Sequence, residues 1–97
     1  MADRDIEFEW SVAKAKNNLK KHGVSFEEAE TVFEDPHAYT QEDELHSDHE
    51  SREVIIGYSD RKRLLMVSFI QLAEWLVRII SSRRATPRER RVYEEED

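Results

Sequence analysis

The chain reads as an α+β domain. We expect a small antiparallel sheet of three to four strands, packed by two helices near the N-terminus and a short helix near the C-terminus. Three observations predict it. Two capped helical patterns follow each other between residues 11 and 36. Apolar, β-rich runs joined by short connections fill residues 52–82, which favours antiparallel pairing. A capping box with proline at the first helical position opens a basic segment at residue 86.

Each element has its own signal. Ile6, Phe8 and Trp10 alternate with Glu7 and Glu9, the pattern of a half-buried strand. Ser11 is the expected N-cap of a helix over 12–22, with Val12, Ala15 and Leu19 as its buried stripe and Gly23 as the residue that ends it in αL. Ser25-Phe26-Glu27-Glu28 is a capping box: the serine is expected to accept from the Glu28 amide while the carboxylate reaches back. Val24 and Ala29 hold the staple positions, and Phe26, Ala29, Val32 and Phe33 the buried face. Asp35-Pro36 ends this helix, because the residue before proline is pushed out of αR. Residues 37–51 are polar and acidic: a short strand at best around 38–40, then an exposed loop. Strands follow from Arg52 to Tyr58, over 64–70 and over 75–82, with Ser59-Asp60-Arg61-Lys62 as a turn. Thr86-Pro87-Arg88-Glu89 opens the last helix, expected to reach about Tyr93 before residues 94–97 fray; residues 1–5 should fray as well. Trp10, Phe26, Phe33 and Phe69 are core candidates. With 97 residues the chain is one domain, because two would be too small to fold well.

Composition removes several chemistries. There is no cysteine, so disulfides, thiolate zinc sites and thiol nucleophiles are excluded. The apolar stretch over 64–80 is broken by Gln71, Glu74 and Arg78 and does not read as a transmembrane helix, and the first residues lack an apolar signal core, so a cytoplasmic location is expected. The net charge of −7 is very unevenly distributed. Residues 1–60 carry 16 acids against 6 bases, whereas residues 61–93 carry 9 bases against 2 acids. Such asymmetry points to a basic partner face beside an acidic body; the alternative is ordinary solvated charge.

The candidates for chemistry follow from that basic segment. Arg78, Arg83, Arg84, Arg88, Arg90 and Arg91 fall within 14 residues, and guanidinium is suited to bidentate recognition of phosphate. Arg61, Lys62 and Arg63 lie in a turn expected near the same sheet edge, and Lys20, Lys21 and His22 crowd a helix C-terminus. The competing reading is that these cations pair with the chain's 22 acids. His22 is a general acid–base or phosphate-binding candidate, or else a C-terminal cap. His46, Asp48, His49 and Glu50 are possible metal ligands, but one loop is a poor scaffold, so no metal site is expected.

Several stretches together resemble the BrnT family of type II toxin–antitoxin ribonuclease toxins. They are Phe8-Glu9-Trp10 with Lys14 and Asn18; Lys21 through Ala29; Val32-Phe33 with Asp35-Pro36; His46-Ser47 with Glu50 and Arg52; Ile56-Gly57; Arg63-Leu64-Leu65; Arg78 to Ser81 with Arg83; and Glu89-Arg90 with Tyr93. They stand in family order over residues 8–93. The resemblance implies a RelE-like fold and a metal-independent endoribonuclease that arrests translation without a cofactor. It also implies a BrnA-like ribbon-helix-helix antitoxin, through which alone the complex would meet DNA. A homodimer, including a domain-swapped one, is a further expectation.

Mapped onto this chain, the resemblance nominates His22, Arg63, Arg78, Arg83 and Tyr93 as catalytic, and the basic patterning adds Lys20, Lys21, Arg61 and Arg84 as RNA-binding candidates. The RNA 2′-hydroxyl would attack the adjacent phosphorus, with His22 as acid or base, the three arginines on the phosphate, and Tyr93 stacking on a base or assisting proton transfer. Two departures stand out. Ser11 replaces a common aspartate, and Leu72 stands where an arginine is expected, in a stretch without the usual turn glycine. Residues 69–82 are therefore expected to form either a wide loop capped by Trp75 or an extended, or partly helical, run exchanged with a second copy. Three functions remain open: an active endoribonuclease, a catalytically weakened toxin-like protein serving as antitoxin partner and operon co-repressor, or a nucleic-acid binder outside any toxin system.

Overall fold

The structure, a computed structural model, describes residues 6–43 and 51–96. The order is β1 (Glu7–Glu9), α1 (Val12–His22), α2 (Phe26–Thr31), a 3-10 turn (Val32–Glu34), β2 (Tyr39–Glu42), β3 (Arg52–Tyr58), β4 (Leu64–Ala73), β5 (Leu76–Arg84) and α3 (Pro87–Glu96). The strands form one sheet in the order β1-β5-β4-β3-β2. The expected sheet of three to four antiparallel strands is thus corrected to a mixed sheet of five. β1 docks parallel to β5, with Phe8 opposite Val77, and β2 adds the other edge. A parallel partner needs a long crossover, which α1, α2 and the intervening strands supply here, so local connection lengths carried no hint of it.

One face of the sheet is closed by α1 and α2. Val24, Phe26, Ala29 and Val32 meet Ile55, Leu65, Val67, Phe69, Val77 and Ile79 in a single core. The aromatic candidates fall where expected: Phe26 and Phe69 are buried, and Trp10 and Phe33 pack edge-on against the rings of Phe26 and Phe69 with centroids 5.7 and 5.0 Å apart. Gly57 is needed for close approach, since a Cβ there would lie 2.8 Å from the Ala38 Cβ. Gly23 closes α1 at φ 71°, as its position predicts.

The expected stripe of α1 holds at Ala15, which packs against the core, and fails at its other two positions. Val12 and Leu19 are 72% and 51% exposed, and the buried residue is Asn18. The reason is β5. Past the short β1, the edge of β5 away from β4 has no strand neighbour, and Asn18 stands in for one. Asn18 Nδ2 donates to the Ser82 and Val24 carbonyls at 2.8 and 3.0 Å, and its Oδ1 accepts from the Ser82 amide at 3.0 Å. A polar residue therefore faces inward where apolar periodicity would have placed a leucine.

The β4–β5 hairpin closes through two residues, Glu74 and Trp75, with Ala73 opposite Leu76 and a register shift at Leu72. Neither the wide loop nor the extended run is present; a bulge absorbs the mismatch that the missing turn glycine would create. At the C-terminus α3 runs to Glu96, past the expected end at Tyr93. No helix among the described residues is long and apolar enough to cross a membrane.

A candidate RNA groove and the chain's family

The second face of the sheet is mostly uncovered, and its register builds a groove. Residues opposite each other on paired strands share a face. One row runs Arg83, Met66, Ile56, Tyr39 across β5, β4, β3 and β2. The next runs Ser81, Ser68, Val54, Gln41. Together the two rows floor a hollow of about 590 Å³, walled by Arg88, Glu89 and Val92 of α3. Arg52, Glu42 and Asp43 stand at its far rim, so cations and carboxylates are mixed there.

The helix α3 that makes this wall is held at both ends. At its start Thr86 and Glu89 form the reciprocal capping box, with bonds of 2.9 and 3.1 Å. Further along, Tyr93 is buried against Ile56 and Leu64, and its hydroxyl donates to Asp35 Oδ2 at 2.8 Å. That carboxylate also accepts from the Tyr58 and His37 amides. Burial pushes Asp35 up, but these three hydrogen bonds outweigh it and leave its carboxyl below the usual aspartate range. Tyr93 therefore anchors α3 from outside the groove.

Of the nominated residues, Arg83 lies in the groove. Its Nη1 and Nη2 donate in parallel to the two oxygens of Glu89 at 2.9 and 3.0 Å. Arg78 is on the same face but at the hairpin end, in the row Glu9, Arg78, Ile70, Arg52, and its Nε donates to Glu9 at 2.8 Å. Five residues along a strand separate Arg78 from Arg83, roughly 16 Å, so one phosphate does not bridge them. Leu72 sits at that hairpin end too.

Arg63 is elsewhere. It bonds both oxygens of Glu28, and its Nη2 donates to the Gly23 carbonyl at 3.1 Å. Ser59 adds a 2.6 Å bond to the same carboxylate. Hydrogen bonding from Arg63, above all, holds Glu28 below the ordinary glutamate range despite its burial. The first capping box is consequently half-formed: Ser25 accepts from the Glu28 amide, but the carboxylate turns to Arg63.

The lesser candidates fall at one end of the sheet. Lys20, Lys21 and Arg61 are exposed near the Gly23–Arg63 contact, and Arg84 pairs with Leu65 at the start of β4. His22 lines a small hollow with Lys14, Lys21, Ile80 and Ser81. Ser81 also lines the large groove, so the two hollows meet across β5.

The sequence reading overlooked the groove's floor. Its signal was there: Ser68 is a polar position inside an apolar run, and Leu64, Met66, Ser68 and Ile70 alternate with the core residues Leu65, Val67 and Phe69. The possible metal ligands at 46–50 lie outside the described residues. Among the described ones, no three His, Asp or Glu side chains are grouped to hold a metal ion.

Comparison with known proteins places this geometry. The family described as ribonuclease toxin, BrnT, of type II toxin–antitoxin systems matches residues 10–89. The crystal structure of the Brucella abortus ribonuclease toxin BrnT superposes with a TM-score of 0.64 at 22% identity, covering 84% of this chain and 97% of that one, which shows a shared fold. No curated protein sequence matches the chain. The family match spans both sheet faces and the start of α3: the chain belongs to the BrnT family of ribonuclease toxins of type II toxin–antitoxin systems.

Proposed function

We propose that the groove binds single-stranded RNA and that the protein cleaves it without a metal or other cofactor, arresting translation. The observation that supports this most is the meeting of the two hollows at Ser81. Arg83 and Arg88 lie on one side of β5, and His22, Lys14 and Lys21 on the other. A strand lying in the groove and crossing β5 there brings a phosphate to the arginines and the adjoining ribose towards His22. The 2′-hydroxyl attacks phosphorus, and the phosphorus–oxygen bond to the next nucleotide breaks. The products are a 2′,3′-cyclic phosphate and a 5′-hydroxyl. His22 moves the proton, and the guanidinium groups balance the charge that develops on the phosphoryl oxygens. Tyr39, on the groove floor, offers a ring for a base to stack on. Arg63 and Tyr93 act in this reading through the fold, by fixing the α1–α2 connection and α3.

The mapping of cleaved ends tests it. Purified protein incubated with RNA should cut equally with and without EDTA and leave 5′-hydroxyl ends, and His22→Ala should lower the rate at unchanged RNA affinity. Cleavage abolished by EDTA, or full activity in His22→Ala, overturns the mechanism.

A second reading has an observation in its favour. Arg63, Arg78 and Arg83 all already hold carboxylates, and Leu72 replaces the family's expected arginine. On that reading catalysis is weakened, and the protein serves as the partner of a BrnA-like ribbon-helix-helix antitoxin and as an operon co-repressor that meets DNA only through it. Inducible expression separates the two: growth arrest favours the nuclease, whereas normal growth with intact RNA favours the co-repressor. In both readings the protein works in the cytoplasm, and the antitoxin covers the groove.

A further inference from the structure

The Arg83–Glu89 contact has the geometry of a substrate contact made by the protein with itself. An arginine fork presents two parallel N–H groups that fit a carboxylate or a phosphate equally well. In this chain both are taken by Glu89, through Nη1 to Oε1 and Nη2 to Oε2. Arg83 remains accessible while doing so: its side chain is 34% exposed at the groove.

We propose that Glu89 is an internal stand-in for an RNA phosphate and sets the affinity of the groove by competing with RNA for Arg83. The inference rests on the reading of the groove as the RNA site. RNA binds by exchange: a phosphate takes the fork, and the displaced carboxylate turns away while keeping its capping role. That second role makes the exchange feasible. Glu89 Oε1 also accepts from the Thr86 amide at 2.9 Å, so the side chain retains a partner after Arg83 leaves. The helix also keeps its other moorings, since Tyr93 bonds Asp35 and the Tyr39 hydroxyl donates to the Glu89 carbonyl. Ligands able to offer two oxygens to the fork displace Glu89 more readily than those offering one, so the contact favours phosphodiester over isolated negative charge.

Glu89→Gln tests this cleanly. Glutamine fills the third position of a capping box as glutamate does, so the helix keeps its cap while the competing charge is removed. The probe is a short single-stranded RNA, fully 2′-O-methylated to block cleavage, titrated by fluorescence anisotropy at several salt concentrations. Relative to the wild type, E89Q should bind about fivefold tighter and steepen the salt dependence by about 0.7 in log–log slope. In an Arg83→Gln background the gain should vanish, which a double-mutant cycle reads directly. Unchanged or weaker binding by E89Q, while R83Q is impaired, overturns the stand-in role and leaves the groove as the RNA site with Glu89 merely orienting Arg83. Wild-type affinity in R83Q overturns both. Thermal melting of E89Q within a few degrees of the wild-type midpoint secures the comparison.

Discussion

Two Arg–Glu pairs lie on opposite faces of one sheet, and their surroundings give them opposite meanings. Glu28 and Arg63 close the helix-covered side. The Glu28 side chain is 3% exposed and is held by three hydrogen bonds from Arg63 and Ser59. Glu89 and Arg83 sit on the open side, 21% and 34% exposed, beside a groove large enough for a nucleotide. The side-chain chemistry is the same. Removing a partner from a buried pair strands a charge at a cost of several kcal/mol, whereas a surface pair is worth about 1 kcal/mol or less and exchanges with other ions. Burial, not residue type, separates an arginine locked into the fold from one left accessible at the groove.

The largest effect expected from that contrast is on stability at the covered face. Arg63→Ala should destabilise by about 3 kcal/mol, because Glu28 keeps only Ser59 and a distant Arg61 as partners. Urea unfolding measures it, and RNA affinity of the folded fraction should stay close to wild type. A variant of normal stability that no longer binds RNA would reverse the assignment and return Arg63 to the active site. Next in size is Asn18→Ala at about 2 kcal/mol, since it leaves the Ser82 amide and two carbonyls without their bonds in a buried place. Faster exchange of the Ser82 amide should accompany the destabilisation, and an unchanged rate would show that another group closes the β5 edge.

This contrast also marks how far the sequence could be read. The caps at Ser11, Ser25 and Thr86, the αL glycine and the spans of β3 to β5 are local features, and local rules found them. What escaped was non-local. The strand over residues 6–10 was legible, but not its parallel partner 69 residues on. The charge asymmetry located a basic segment and left open whether its arginines gather at one site or pair with acids, but not which acids they meet. Pairing with Glu9, Glu28 and Glu89, each distant or on another element, dispersed them to three places. Asn18 was recognisable as a family position, but its inward orientation depends on an unpaired strand edge that no periodicity within α1 records.

Acid separates the two faces more gently. Glu28 and Asp35 both titrate below their ordinary values of 4.5 and 3.8. The unfolded chain therefore binds protons that the folded one refuses. Their stabilisation is fully present above those ordinary values and is lost as pH falls through the lower folded ones. The contribution of these two carboxyls to the unfolding free energy should be flat from neutral pH to about pH 5 and decline below. Asp35→Asn should remove the part of the decline that falls below about pH 4. Glu89 is lowered too: burial raises it, but Arg83 and Thr86 outweigh that. Its pair is half-open to solvent, so E89Q should alter the acid limb less than Asp35→Asn does. An acid limb governed by Glu89 would mean that the open pair, not the covered one, holds the fold.

The smallest effect on stability, and the sharpest on function, is expected from Arg88. It stands in the first turn of α3, exposed, on the wall of the groove. A cation there faces the positive end of the helix dipole, an arrangement unfavourable by a few tenths of a kcal/mol. Arg88→Gln should therefore melt at the wild-type temperature or slightly above it. If the groove holds RNA, the same variant should bind the methylated oligonucleotide more weakly. Its salt dependence should flatten by about 0.7 in log–log slope, the change expected when one fewer phosphate is neutralised. Because the helix gains nothing from this charge, weaker binding cannot be blamed on a damaged fold. Unaltered affinity and slope would remove the α3 wall from the RNA path and leave Arg83 to act with the Lys14, Lys21 and His22 side of β5 alone.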